Sequence, residues 1–333
     1  MGEGAVTRGD RRNLRVGLLF ISPWIVGFLA LFVYPLLCAG YYSLCAYSVL
    51  TPAVFVGAGN YRDLFSDSIF WQSLYNTFFF AAFSIPLGFL ISFFLALLLN
   101  FDVPARGLLR TVFFLPSLVP MVCLAVLWQW MLNGDVGLIN EVIAPGLHAV
   151  NALLTTHLTT PNWLQDARFA KWGIIFTTLW GVGQAVVIYL AGLQDIPRYL
   201  YEAAEIDGAG FWLQTRHISL PALSPVIYFN TIMALIGSLQ VFAVPYVMTN
   251  GGEGPGRSLL FMATYLYRNA FDYWNMGYAC AVGMVMFGLI SSLPIWVQSF
   301  PSVMCFTPAT DPPLARCTIN GPRNSSTPRS SRC

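Results

Sequence analysis

The chain has 333 residues, of which 56% are hydrophobic, 15% aromatic and only 10% charged, and its mean hydropathy is +0.63. A soluble domain carries roughly a quarter charged residues, so this composition excludes one and marks an integral membrane protein. A net charge of +2 is too small to point to nucleic acid, and seven cysteines without a CxxC pair give neither a disulfide framework nor a metal site.

Met1 to Arg15 is polar and holds Arg8, Arg11, Arg12 and Arg15. The apolar stretch behind it, from Val16 to about Tyr47, is too long for a signal peptide and shows no small-residue cleavage site, so residues 1–15 read as a cytoplasmic tail. One helical crossing needs about 20 apolar residues, and six windows reach that length. The first, about 17–42, contains Pro23 and Pro35, which predict a kink. Residues 43–70 are mixed, with Pro52, Gly57 and Gly59 as turn formers, and read as a loop on the far side. A second span covers about 71–99 and a third 111–132, followed by the longest polar insertion, 133–171. The remaining spans are 172–193, 222–248 and 276–300, the last two separated by a Gly-rich turn and an aromatic stretch. Cys38, Cys123 and Cys280 lie within apolar runs, where a cysteine is a small packing residue.

Cytoplasmic loops collect Lys and Arg. With the N-terminus inside, the inner segments before residue 301 hold eight basic residues (Arg8, Arg11, Arg12, Arg15, Arg106, Arg110, Arg198, Arg216) and the outer loops five (Arg62, Arg168, Lys171, Arg257, Arg268). The bias agrees with six crossings and places residues 195–221 in the cytoplasm.

That loop concentrates the polarity between the fourth and fifth spans. Asp195 and Pro197 suit a helix start, and Arg198 and Glu202 are four apart on one face. Ala203 and Ala204 favour helix while projecting little bulk, Gly208 supplies a residue able to end the helix in a left-handed conformation, and Phe211, Trp212 and Leu213 form an apolar patch. The expectation is a short helix, a sharp turn and a second short helix. An amphipathic loop helix resting on lipid headgroups fits the composition as well.

The order Glu202-Ala203-Ala204, three residues, Gly208, nine residues, Ile218, one residue, Leu220-Pro221 resembles the EAA loop of permease subunits of binding-protein-dependent ABC importers. Other stretches are similar to the carbohydrate-permease branch, of the MalF and UgpA type: Gly59-Asn60-Tyr61, Asn76-Thr77, Arg110-Thr111 with Pro116, Pro120 and Trp128, Gly137 to Asn140, Trp163-Leu164, and Gly277-Tyr278-Ala279. The resemblance covers about residues 15–298. It implies an all-α type I permease fold of six transmembrane helices, with a coupling helix that docks on a cytoplasmic ATPase. Glu202, Ala203, Ala204, Asp207, Gly208, Ile218, Leu220 and Pro221 would form that joint. It also implies three partners besides the bilayer: a second permease subunit, a pair of ATPase domains using ATP and Mg, and an extracytoplasmic solute-binding protein. The membrane would be the bacterial or archaeal plasma membrane, with both termini cytoplasmic.

The chain has no P-loop, since its only lysine, Lys171, precedes Trp172, so no cofactor and no enzymatic site of its own are expected. His148, His157 and His217 have no metal-binding spacing, and Glu141 and Asp166 have no partner identifiable from sequence. The six windows contain no Asp, Glu, Lys or Arg. An intramembrane charge is usually functional, so a neutral, hydroxyl-rich solute such as a sugar or polyol is favoured. A glycerol-3-phosphate-type anion met by a partner subunit is the alternative, with a membrane transferase or a passive channel further off. Trp128, Gln184, Tyr189, Asn230, Ser238 and Gln240 are candidates to line the path, along with Gln129 and Phe242, although for any single one of them interhelical packing and hydrogen bonding is the favoured reading. Residues 16–300 would form the permease domain. Residues 301–333, rich in Pro, Ser, Thr and Arg, are expected to be a disordered tail, either a genuine appendage or the product of a shifted reading frame.

Overall fold

In lipid an apolar segment can satisfy its own backbone only as a helix, and most of the chain does so. The computed structural model describes residues 8–101, 105–154 and 160–298; the expected tail at 301–333 lies outside them. α1 (Arg8–Phe28) and α2 (Tyr34–Tyr42) form one apolar span, Val16–Tyr42, through a widened turn at Leu29–Val33. Pro35 follows directly, and its ring nitrogen has no hydrogen to donate one turn back. The proline is therefore accommodated by a local change of pitch.

The loop expected at 43–70 is more ordered than that. β1 (Cys45–Ser48) and β2 (Thr51–Phe55) pair antiparallel with Cys45 opposite Phe55, and α3 (Gly59–Ser66) follows. Among the described residues this hairpin is the exception to an otherwise helical fold. Asn60 holds it by donating to the Ser43 and Cys45 carbonyls at 2.8 and 2.9 Å, and the Tyr61 hydroxyl donates to Ser43 Oγ at 2.9 Å. Gly277 admits the same strand, because a Cβ there would lie 2.1 Å from the Cys45 carbonyl oxygen.

α4 (Ser68–Asn100) starts at Asp67, whose carboxylate accepts from the Ile69 N–H at 2.8 Å. It runs unbroken through the second expected span. The third and fourth do not. α5 (Arg106–Phe114) and α6 (Met121–Met131) belong to helical stretches that turn by 95°, and α8 (Ala167–Trp180) and α9 (Gly183–Gln194) meet at 49°. Pro116 and Pro120 remove two N–H donors at the first bend. At the second, Gly183 packs onto the first, since a Cβ there would sit 2.2 Å from the Phe113 carbonyl oxygen. The polar insertion between these pairs contains another helix, α7 (Leu138–Leu154).

The chain continues as α10 (Arg198–Ile206), α11 (Phe211–Gln214), α12 (Leu220–Ala222), α13 (Ser224–Leu239), α14 (Ala243–Met248), α15 (Met262–Tyr267) and α16 (Met276–Gln298). Among the described residues, Val16–Tyr42, Ser68–Asn100, Ser224–Met248 and Met276–Leu293 are each long and apolar enough to cross a membrane, and six spans result if each bent pair is one. Three apolar clusters organise the packing. One joins Phe80, Trp128, Leu132, Ile174, Met248 and Phe261; a second joins Phe93, Leu97, Tyr189, Leu193 and Leu223; a third joins Leu64, Phe70, Tyr265 and Val282. They meet α4 in turn along its length, the third at Phe70, the first at Phe80 and the second from Phe93 to Leu99.

Candidate functional site

The loop after α9 folds as a helical hairpin at the end of the bundle held by the Phe93–Leu223 cluster. Asp195 closes α9, and Pro197 stands at the N-cap of α10 with φ −61° and ψ 131°, one position before the first turn where it was expected. Arg198 and Glu202 form no ion pair among the described residues, so α10 is set by its end and its packing. The end is a Schellman turn. Ala209 N–H donates to the Ala204 carbonyl at 2.8 Å and Gly208 N–H to Glu205 at 3.0 Å, with Gly208 at φ +81°. No atom would crowd a Cβ at Gly208, so the backbone angle alone calls for glycine there.

The second arm is α11 and α12 joined through a widened turn at Thr215–Ser219, and it runs past Leu220-Pro221 into the fifth span. The arms are tied by Tyr201 and Ser219, whose hydroxyls are 2.9 Å apart, and by Gln214 Nε2 donating to the Ala209 carbonyl at 3.0 Å. Tyr201 and Ile218 pack on the cluster beneath, and Pro221 is half-buried. Phe211 and Trp212 lean on the end of α4, their rings 5.3 Å from Phe101 and 6.2 Å from Phe94. Outward, Glu202, Ala203, Asp207, Gly208 and Leu220 are exposed, and Ile206 is 88% exposed. Between the arms lies a groove of about 330 Å³ lined by Ala204, Asp207, Leu213, His217 and Ile218. Sequence order thus translates into one exposed, rigidly held surface.

The six path candidates do not form a single constellation. Trp128 and Tyr189 belong to different clusters, both buried. Asn230 donates to Val226 and Ser238 to Leu235 within their own helix, at 3.0 and 2.8 Å. Gln184 and Gln240 are exposed, and each sits at a helix break: Gln184 beside the Gly183 bend, Gln240 between α13 and α14. Unwound backbone at membrane depth is tolerated where it meets protein or lines a cavity, so these two are the candidates with an open face.

Several residues of the sequence resemblance are fasteners. Buried Asn76 donates to the carbonyls of Arg257 and Leu260 at 2.8 and 2.9 Å, and Thr77 Oγ1 accepts from Met262 N–H at 3.0 Å. Asn140 donates to the Gly134 and Pro161 carbonyls at 2.9 and 3.1 Å while accepting from Trp163 Nε1 at 2.9 Å. Tyr265, its hydroxyl pKa raised by burial, donates to Asp67 at 2.6 Å. An amide in an apolar run signals only that it needs a partner; its spacing cannot distinguish a fastener from a solute ligand.

Residues 84–300 match the family described as binding-protein-dependent transport system inner membrane component. The lactose transport system permease protein LacF of Rhizobium radiobacter is 34% identical over 281 residues, covering 83% of this chain and 91% of that protein. The trehalose/maltose transport system permease protein MalF of Thermococcus litoralis is 32% identical over 297 residues, covering 89% and 96%. A crystal structure of a bacterial ABC transporter involved in the import of the acidic polysaccharide alginate includes a chain that shares the fold, with a TM-score of 0.75 at 22% identity, over 90% of this chain and 100% of that one. With the helical membrane architecture and the matched loop already in place, the chain belongs to the binding-protein-dependent transport system inner membrane component family, as a permease subunit of an ABC importer.

Proposed function

We propose that this chain is one half of the translocation path of an ATP-driven importer for a neutral sugar or polyol, and that its hairpin at 195–221 transmits the motion of the ATPase. The observation that carries the coupling role is the geometry of α10: a short helix exposed along Glu202–Asp207, stopped by Gly208, and tied back to the fifth span through Tyr201 and Ser219. A part that transmits a push must be exposed to its driver and stiffly joined to what it moves. The groove beside Ala204 and Ile218 offers the driver a foothold. The sugar assignment draws on relatives whose names specify lactose and trehalose/maltose.

In this reading both termini and the hairpin lie in the cytoplasm, as the basic-residue bias indicates. Two ATPase domains bind ATP and Mg there, a second, different permease subunit completes the path, and a solute-binding protein docks outside. Closure of the ATPases pushes α10 and swings the spans from inward- to outward-facing, so that the bound solute is released into the cavity.

The test is uptake. Glu202→Lys and Gly208→Pro should each abolish transport while the chain remains in the membrane; normal transport by both would sink the coupling role. A tagged chain that co-purifies with no ATPase would count equally against it.

A further inference from the structure

At the opposite end of the bundle from the hairpin lies a cavity of about 270 Å³, between the end of α6, the 162–165 segment and the end of α14. Its floor is apolar and rigid: Leu132 and Met248 are buried members of the Phe80–Phe261 cluster. Its walls are amides. Gln129, half-buried, and Asn162, Gln165 and Asn250, exposed at its rim, all line it, and none of their side chains hydrogen-bonds to another described residue. No Asp, Glu, Lys, Arg or His lines it.

The walls are held by other polar groups. Asn133 Oδ1 accepts from the Asp135 and Val136 N–H groups at 2.9 and 3.3 Å, and the Thr249 hydroxyl donates to the Pro245 carbonyl at 2.8 Å. Asn162 leans across Gly134, where a Cβ would lie 1.5 Å from its Oδ1. Asn250 is fixed at φ 53°, in the left-handed region. Backbone and committed side chains thus set the shape, and four amides are left to meet a ligand.

Each amide presents two N–H donors and a carbonyl acceptor. That mixture complements adjacent hydroxyl groups, which both donate and accept. It leaves an anion without a countercharge and an apolar ligand facing unsatisfied amides. The volume falls just below the roughly 300–1,000 Å³ of drug-sized sites, which suits one sugar ring over an oligosaccharide chain.

We propose that this pocket binds a single neutral sugar unit at the outer mouth of the path, as a resting place distinct from the breaks at Gln184 and Gln240. The proposal rests on the sugar-importer reading above.

The experiment uses the complete permease–ATPase complex in nanodiscs, without the solute-binding protein, and saturation-transfer NMR with lactose, maltose and trehalose as probes. Transfer to the ring protons of at least one is expected. Asn162→Ala/Gln165→Ala should weaken it about tenfold through the lost hydrogen bonds, Asn250→Leu should weaken it separately, and Ser22→Ala, whose hydroxyl bonds only the Leu19 carbonyl of its own helix, should leave it intact. ATP hydrolysis by each variant complex reports on its assembly. Absence of transfer from all three sugars, or transfer that survives both pocket variants, overturns the proposal. Uptake of the same sugars by cells carrying the unaltered transporter separates the failures. Uptake without pocket binding removes the pocket alone, and no uptake of any of them removes the sugar reading with it.

Discussion

The Tyr201 hydroxyl lies 2.9 Å from Ser219 Oγ, joining the first arm of the hairpin to the segment that becomes the fifth span. Losing such a bond costs about 1 kcal/mol, enough to loosen a joint without unfolding it. Tyr201→Phe should leave ATP hydrolysis by the assembled transporter running while fewer solute molecules enter per ATP. Ser219→Ala should do the same, and the double variant should be no worse than either alone. Proteoliposome assays that follow both quantities check this, and fully additive losses would show that the pair does not act as a unit.

Gly208 offers a graded series. Its φ of +81° costs an L-residue about 1–2 kcal/mol, and the site is otherwise open. Asparagine tolerates the left-handed region better than alanine, so uptake should fall in the order Gly, Asn, Ala, Pro. Proline comes last because it also removes the N–H that donates to Glu205. An alanine variant as active as the parent would show that the turn can reform with another backbone angle.

The meeting of the two bends rests on Gly183. A methyl group there would overlap the Phe113 carbonyl oxygen at 2.2 Å, where backbone must move to make room. Gly183→Ala should therefore destabilise the chain by about 1–3 kcal/mol or more, seen as a lower Tm in detergent. Gly181→Ala, whose Cβ would meet the Thr178 carbonyl at an ordinary 3.6 Å, is the matched control and should be tolerated.

Asn76 is 1% exposed and satisfies two carbonyls that nothing else described reaches from α4. Asn76→Ala removes both bonds, leaving the Arg257 carbonyl with its Leu260 N–H donor at 3.3 Å, and should cost about 1–3 kcal/mol in all; Asn76→Asp should be worse, since an ionised carboxylate cannot donate. Thermal denaturation of purified chain ranks the variants. Parent-like stability for Asn76→Ala would mean that the 257–260 segment finds other donors.

Helices whose apolar runs are uninterrupted were legible. The second span was expected at 71–99 and is part of Ser68–Asn100, because a mostly apolar stretch of 33 residues in lipid has no other way to bond its backbone. The bends were hidden, because Pro116, Pro120 and Gly183 are as apolar as their neighbours and hydropathy is blind to a missing N–H or a missing Cβ. The Cys45–Phe55 hairpin escaped for a related reason: it is held by Asn60 and by Gly277, more than two hundred residues away in sequence. Within the hairpin at 195–221, the turn could be read because glycine alone suits φ +81°, while the Tyr201–Ser219 tie depends on how two arms happen to align. Among the path candidates, Asn230 and Ser238 look on paper like Gln184 and Gln240, yet the first pair spend their donors on their own helix.

α4 is the only described helix that enters all three apolar clusters, through Phe70, Phe80 and Phe93. It is also among the first spans to leave the ribosome. When α4 is made, the Arg257 and Leu260 carbonyls that its Asn76 bonds do not yet exist. Asn76 thus joins the second span to a loop made 181 and 184 residues later, before the last span, α16, has been added.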